Sequence, residues 1–128
     1  MASSIHNVSF DALDAYGLAQ FWSQVVGKPV YDVDNPGDPE VAIDMGDGSN
    51  LFFQQVPETK TIKNRMHVCL RPDTTRDAEV ARLEEIGAKI FADHRNPDGT
   101  GWVVMQDPEG NEFCVERSAP ERAATSTV

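Results

Sequence analysis

The feature that most limits the fold of this chain is a set of turn residues that recurs after 60 positions. Gly27 is matched by Gly87, and the turn residue Asp47 is matched by Asp107. A supersecondary unit repeated within a chain usually cannot bury its apolar residues alone, so its copies pack together. The spacing therefore predicts two similar modules, over about residues 5–57 and 64–117, rather than one irregular domain.

The first module is predicted to have the order strand, helix, strand, strand, strand. Val8 and Phe10 alternate with polar residues, which is typical of a strand over residues 5–12. Asp14 is a residue type that favours a helix N-terminus, and Gly27 is one that favours the residue after a helix. Short apolar runs between turn residues predict three further strands, at residues 30–33, 41–45 and 51–56.

The second module is predicted to repeat that order. Residues 65–71 form its first strand, and Val80, Leu83 and Ile86 give the following helix an apolar face. A strand is expected at residues 88–92. A hairpin completes the module, because turn residues at 107–111 (Asp-Pro-Glu-Gly-Asn) separate two runs of strand-forming residues at 102–105 and 113–116.

Charge and composition exclude several classes of function. The formal charge is −10, with 21 acidic and 11 basic residues, which argues against nucleic acid and anionic membranes as partners. No apolar run reaches the roughly 18 residues of a transmembrane helix. Residues 1–10 lack the pattern of a signal peptide, so a cytoplasmic location is expected. In that compartment Cys69 and Cys114 are expected to be reduced thiols.

Four segments of the chain resemble those of a known superfamily. It resembles glyoxalase-like proteins of the vicinal oxygen chelate superfamily, which also includes glyoxalase I, bleomycin and fosfomycin resistance proteins and extradiol dioxygenases. The resemblance covers roughly residues 5–117. It is carried by Leu18-Ala19-Gln20-Phe21-Trp22 with Gly27, Asn64-Arg65-Met66-His67, Ala81-Arg82-Leu83 with Gly87-Ala88, and Asp107-Pro108-Glu109-Gly110-Asn111-Glu112-Phe113-Cys114.

The resemblance implies an α+β fold in which two βαβββ modules form curved mixed sheets around a cup. It implies one such domain over residues 1–120, leaving 121–128 as a flexible polar tail. It also implies a homodimer and a small-molecule ligand. Function on a shared fold is set by the residues of the site, so the resemblance by itself selects no reaction.

In that superfamily the cup usually holds a divalent metal on His and Glu ligands. The matching positions here are Asn7, Gln54, His67 and Cys114, and the 60-residue spacing pairs the same four residues. Only His67 is an ordinary ligand for such a metal, because amides are weak neutral donors. One His and one Cys are also too few for a zinc site, so no metal cofactor is expected. A divalent metal remains the alternative, since a one-residue slip would exchange His6 for Asn7.

Further residues complete the expected site. Asp11 shares the cup face of the first strand, and Glu116 shares the parity of Cys114. Trp102 is expected either to form a wall of the cup or to pack in the core. Cys114 is expected either to be a small core residue or to act as a nucleophile with His67 as its base.

These residues predict a protein that binds a small organic molecule in its cup without a catalytic metal. The ligand-binding set is Asn7, Asp11, Gln54, His67, Cys114 and Glu116, and no catalytic residue is assigned. Two alternatives remain open. One is a metal-dependent lyase, isomerase or dioxygenase, and the other is a drug-sequestering protein of the bleomycin-resistance type.

Overall fold

The computed structural model describes residues 1–125 and has an α+β fold, which confirms the predicted fold class. The chain divides into two compact units, the first over Met1–Lys60 and the second from Thr61 onward. Its elements follow in the order β1 (Asn7–Ala12), α1 (Ala15–Val26), β2 (Glu40–Asp44), β3 (Asn50–Gln55), β4 (Val68–Leu70), α2 (Arg76–Glu85), β5 (Lys89–Asp93), β6 (Val103–Gln106), β7 (Glu112–Val115) and α3 (Ala119–Thr125).

The first unit is a three-stranded sheet covered on one face by α1. Its strand order is β1-β3-β2, with β1 parallel and β2 antiparallel to β3. The core is aromatic, because the ring of Phe10 lies 5.1 Å from the rings of both Trp22 and Phe53. Asp14 caps α1 by accepting a hydrogen bond from Gly17 N at 3.0 Å, and Gly27 ends it with φ at 68°, as the sequence predicts.

The strand predicted at residues 30–33 is reduced to one bridge between Val30 and Ile43. Tyr31 N still donates to the carbonyl oxygen of Ala42, at 3.1 Å. The backbone N–H of Ala42 donates to a side chain in place of a neighbouring strand, because its acceptor is Oδ2 of Asp34 at 2.9 Å. Asp34 N donates to the carbonyl oxygen of Tyr31 at 3.0 Å, which forms a turn, so the backbone leaves the edge of the sheet.

The second unit has the full predicted order of strands and helix. Its sheet order is β4-β7-β6-β5, and β4 and β7 are parallel. All four residues of β7 are buried, because this strand lies between β4 and β6. Val80 and Leu83 of α2 are buried core residues of the same unit.

The turn between β6 and β7 is the one predicted from Asp-Pro-Glu-Gly-Asn. Asp107 is buried, and its Oδ1 accepts hydrogen bonds from the backbone of Glu109 at 2.9 Å and of Asn111 at 3.0 Å. Its Oδ2 accepts a third, from the side chain of Asn111 at 2.9 Å. A side chain that satisfies its own turn in this way fixes the register of the hairpin.

The tail differs from the expectation that it begins at residue 121. Residues up to Thr125 form α3, while 126–128 lie outside the described residues. Glu121 ties α3 to the unit, because its Oε1 accepts hydrogen bonds from Arg76 N at 2.7 Å and Ser118 N at 2.9 Å. The sequence analysis missed this anchor because the partner lies 45 residues away.

Arg76 fastens the loop that precedes β6. Its side chain is 6 % exposed, and one guanidinium nitrogen donates to the carbonyls of Gly99, Thr100 and Gly101 at 3.3, 2.9 and 3.1 Å. Its Nε pairs with Asp77 at 3.0 Å. A buried cation with these acceptors stabilises the loop in one conformation.

Substituting Arg76→Met should lower the free energy of unfolding by about 2–3 kcal/mol, because the loop carbonyls lose a charged donor. Urea denaturation followed by circular dichroism measures the change. Arg82→Met on the same helix is the control, because Arg82 pairs with Glu79 at the surface and should cost less than about 1 kcal/mol. Equal losses in the two variants would contradict this role for Arg76.

Candidate functional site

The open face of the second unit carries a cavity of about 620 Å³. Strands β4, β6 and β7 contribute Cys69, Val104 and Cys114 to its lining. Its size falls within the roughly 300–1,000 Å³ of small-molecule sites. The cavity is therefore large enough to hold a small-molecule ligand.

Strand register brings the two cysteines together. Cys69 of β4 is the direct partner of Cys114 of β7 in a parallel pair. Side chains alternate along each strand, so both cysteines face the cavity while their neighbours face the core. His67 precedes β4 and lies two positions before Cys69, which places its ring on the same side.

These three side chains form a compact group of possible donor atoms. Nδ1 of His67 lies 3.7 Å from Sγ of Cys69 and 3.7 Å from Sγ of Cys114. All the donor atoms of the group lie within 4.8 Å of one another. Within residues 1–125 this is the one group of three or more His, Cys, Asp or Glu side chains arranged to hold an ion.

The environment of Cys114 disfavours a nucleophilic role. Its side chain is buried, and both cysteines are free thiols. Burial, followed by the neighbouring Cys69 and the charge of Glu116, raises the pKa of the Cys114 thiol to about 11. The thiolate is the reactive form, and it is scarce at neutral pH when the pKa is this high. A nucleophile and base pair of Cys114 and His67 therefore lacks the activation that such a pair needs.

An aromatic wall borders the cavity. Trp102 is 46 % exposed, and its ring lies 4.8 Å from that of His94 with 32° between the planes. Gly101 makes this arrangement possible, because its φ is 93° and a Cβ there would lie 2.0 Å from the carbonyl oxygen of His94. Of the two roles predicted for Trp102, the structure therefore shows the wall.

The lining of the cavity is positively charged although the chain is acidic. Lys63, Arg117 and Arg122 line it, and Glu116 is its one carboxylate among the described residues. Glu116 also lies 3.8 Å from the guanidinium of Arg71. The arrangement favours a ligand that carries negative charge.

Three of the predicted site residues, His67, Cys114 and Glu116, line this cavity. The sequence analysis missed Cys69, Lys63, Arg117 and Arg122 as residues of the site. The position of Cys69 carried a signal, since it lies two residues after His67 within the strand predicted at residues 65–71. Lys63, Arg117 and Arg122 had no such signal, because nothing in their local sequence indicates which way their side chains face.

The other predicted residues, Asn7, Asp11 and Gln54, lie on the first unit. All three are exposed, and Asp11 is the register partner of Gln54 on the parallel strands β1 and β3. Oδ1 of Asn7 accepts a hydrogen bond from the side chain of Asn50 at 3.1 Å. That these residues share one hollow with His67 and Cys114 stays a prediction.

No slip of β1 exchanges His6 and Asn7. Asn7 is the first residue of β1 and is paired with Asn50. His6 precedes the strand, and its Nδ1 lies 3.2 Å from the carbonyl oxygen of Gly48. The alternative that depended on two inward-facing histidines is therefore not supported.

The residues at the family-related positions do not fit a metal held by imidazole and carboxylate. Asn7 and Gln54 offer neutral amides, and Cys114 offers a buried thiol. Metals that activate oxygen or polarise oxygenated substrates prefer imidazole and carboxylate ligands. A donor set of this composition argues against that class of metal at these positions.

Comparisons with known proteins agree on one family. Residues 7–116 match the sequence model of the glyoxalase-like domain family. No curated protein matches the chain. A glyoxalase/bleomycin resistance protein/dioxygenase family enzyme from Burkholderia phytofirmans is similar in structure, with a TM-score of 0.66, 21% identity, and coverage of 88% of this chain and 97% of that one.

Two further solved structures have the same fold. A fosfomycin resistance protein from Mesorhizobium loti has a TM-score of 0.66 at 15% identity, covering 97% of this chain and 99% of that one. A lactoylglutathione lyase from Agrobacterium tumefaciens has a TM-score of 0.61 at 21% identity, covering 94% and 96%. Identities this low show a shared fold and carry no activity across.

Across residues 1–125, none of the helices has the length and apolar character needed to cross a membrane.

The two cysteines should differ in reactivity. Iodoacetamide at neutral pH should label Cys69, which is exposed, at least about tenfold faster than Cys114, because thiolate fraction and access control alkylation. Labelling of Cys114 should accelerate as the pH approaches its pKa of about 11. Peptide mass spectrometry of the intact, reduced chain measures both rates.

The unfolded chain in urea is the control, since there the two thiols should label at similar rates. Rapid labelling of Cys114 at neutral pH in the folded chain would show that its thiol is activated after all.

Proposed function

Because the chain belongs to the glyoxalase-like domain family, we propose that it binds a small organic anion in the cavity of the second unit. The ligand has a negatively charged group and an aromatic or other planar part. The observation that carries this proposal is the positive lining of the cavity in a chain whose formal charge is −10.

Electrostatics support the anionic part of the ligand. Lys63 and Arg122 are exposed cations on the cavity lining, and Arg117 is a buried one. A surface that is acidic elsewhere repels anions, so a cationic cavity concentrates them locally and guides them to one place. Glu116 balances part of this charge and is itself paired with Arg71.

The aromatic wall supports the planar part. Trp102 and His94 present adjacent rings beside the charged groups. An aromatic ring packed on Trp102 would gain about 0.5–1.5 kcal/mol beyond the burial of its area. Val104 extends the apolar surface toward the sheet. This combination of a few polar groups and an apolar wall is typical of a small-molecule site.

Binding without turnover is the form of the proposal that needs the fewest groups. The buried thiol of Cys114 is not activated, so the cavity is assigned no nucleophile. A drug-sequestering role fits the same behaviour, whereas a lyase or dioxygenase would convert the bound molecule. Incubation with a ligand and product analysis separate these two cases.

The homodimer implied by the resemblance also remains a proposal. Phe91 and Ile90 of β5 are exposed apolar residues, together with Val8 of β1, and such residues are often covered in assemblies. Analytical ultracentrifugation at several concentrations tests the assembly. A cytoplasmic location likewise stays a prediction.

Ligand binding can be followed through tryptophan fluorescence, because the chain has two tryptophans and they differ in exposure. Trp22 is 1 % exposed in the core of the first unit, whereas Trp102 borders the cavity. Benzoate and phenylphosphonate should quench the wild-type protein, and the uncharged benzyl alcohol should bind at least about tenfold more weakly. Trp102→Phe should abolish the quenching while leaving the emission of Trp22.

The double variant Lys63→Gln with Arg122→Gln should weaken benzoate binding about tenfold, equivalent to about 1.4 kcal/mol. Added salt should reduce the remaining difference between the wild type and the variant. Lys28→Gln with Lys89→Gln removes the same charge from residues outside the cavity lining and is the matched control. Equal losses in the two double variants, or equal binding of benzoate and benzyl alcohol, would overturn the proposal.

A further inference from the structure

Three soft or borderline donor atoms meet at one point of the second unit, and nothing in the proposed binding of an organic anion accounts for them. They are Nδ1 of His67 and the sulfur atoms of Cys69 and Cys114. We propose that these three side chains bind a thiophilic metal ion, with Zn²⁺ as the preferred ion. This proposal goes beyond the anion-binding function and does not depend on it.

The spacing of the donors suits a tetrahedral ion. Zn²⁺ binds sulfur at about 2.3 Å and imidazole nitrogen at about 2.0–2.1 Å, so a tetrahedral site separates the two kinds of donor by about 3.6 Å. Nδ1 of His67 lies 3.7 Å from each sulfur. The two sulfurs lie within 4.8 Å of each other, and rotation about the side-chain bonds of Cys69 can shorten this distance to the roughly 3.8 Å that such a site needs.

The sheet holds the donors in place before any ion arrives. Cys69 and Cys114 are register partners on neighbouring parallel strands, and β7 is held on its other side by β6. A donor pair that is fixed by strand pairing loses little conformational freedom when the ion binds. This backbone support distinguishes the group from cysteines that meet by chance on surface loops.

The chemistry of the donors selects a different ion from the one that the superfamily resemblance implies. Thiolate ligands favour Zn²⁺ and Cu⁺, whereas carboxylate and imidazole ligands favour the metals of oxygen chemistry. Cys69 lies outside the four family-related positions, and all three donors come from one unit. The expectation of no metal was based on His67 and Cys114 alone, and a third donor changes that count.

Three protein donors leave a fourth position for a water molecule or a ligand, which is the composition of an open zinc site. The donors lie on the lining of the cavity, so that position is accessible to small molecules. When Zn²⁺ binds, two Zn–S bonds and one Zn–N bond form and the two thiol protons leave to solvent. No oxidant or reductant is needed.

A Cys69–Cys114 disulfide is the competing use of the same two thiols. Its formation would pass two electrons to an external oxidant and release two protons, and it would remove both sulfur ligands. Because these are the only two cysteines of the chain, a thiol count reports directly on this reaction. Disulfide formation without metal binding would therefore overturn the proposal.

The test uses the full chain, reduced with a phosphine and freed of metal with a chelator that is then removed under nitrogen. Co²⁺ serves as the spectroscopic probe, since thiolate ligands give charge-transfer bands and tetrahedral geometry gives intense visible bands. Zn²⁺ should displace Co²⁺ with a stoichiometry of one ion per chain. Competition with a chromophoric chelator then measures the Zn²⁺ affinity.

Cys69→Ser, Cys114→Ser and His67→Ala should each weaken Zn²⁺ binding at least about 100-fold, since loss of an outer partner of a metal ligand alone costs 10–100-fold. His94→Ala is the control, because His94 lines the cavity outside the donor group and its loss should change the affinity less than about threefold. Circular dichroism of each variant shows that it is folded. The exposed Cys69 keeps the test valid should a substitution of buried Cys114 prevent folding.

Absence of thiolate-to-Co²⁺ bands in the reduced chain, or unchanged Zn²⁺ affinity in Cys69→Ser, would overturn the metal site. The two proposals fail separately. The variant Lys63→Gln with Arg122→Gln should keep its Zn²⁺ site although its benzoate binding is weakened. The wild-type chain freed of Zn²⁺ should keep benzoate binding.

Discussion

The parallel pairing of β4 with β7 is the interaction on which the site of the second unit depends. It buries β7 between two strands and places Cys69 directly beside Cys114. The alternation of side chains then sends Phe113 and Val115 into the core and leaves the sulfur atoms on the open face. A shift of one residue in this pairing would reverse both faces, so core packing and site assembly are fixed by the same register.

The wall of the cavity depends on a second constraint, which comes from α2. Arg76, from the first turn of α2, binds the carbonyls of the loop that leads into Trp102. Gly101 allows that loop to pass close to the backbone of His94, where a side chain would collide. The exposed aromatic pair is therefore supported by a buried cation and a glycine.

Membership of the glyoxalase-like domain family leaves the chemistry of the cavity open, because a shared fold accommodates many sites. The composition of the lining bears on the choice of ligand. Cations gather on one concave surface of an acidic protein, and Cys114 occupies one of the positions at which the superfamily resemblance implies a metal ligand. Both features affect which ligands the cavity can hold, and neither affects the core that supports it.

The sequence by itself determined the elements whose signals are local. Asp14 and Gly27 delimit α1, and the turn centred on Asp107 forms as its residue types require. The 60-residue spacing of repeated turn residues in the sequence also indicated the two units. Only the tertiary structure decided that Asp34 replaces a strand partner of Ala42, and that Cys69 and three cations join the site. The physical reason is that these placements depend on contacts between distant segments, and a local pattern of residue types does not encode which distant groups will meet.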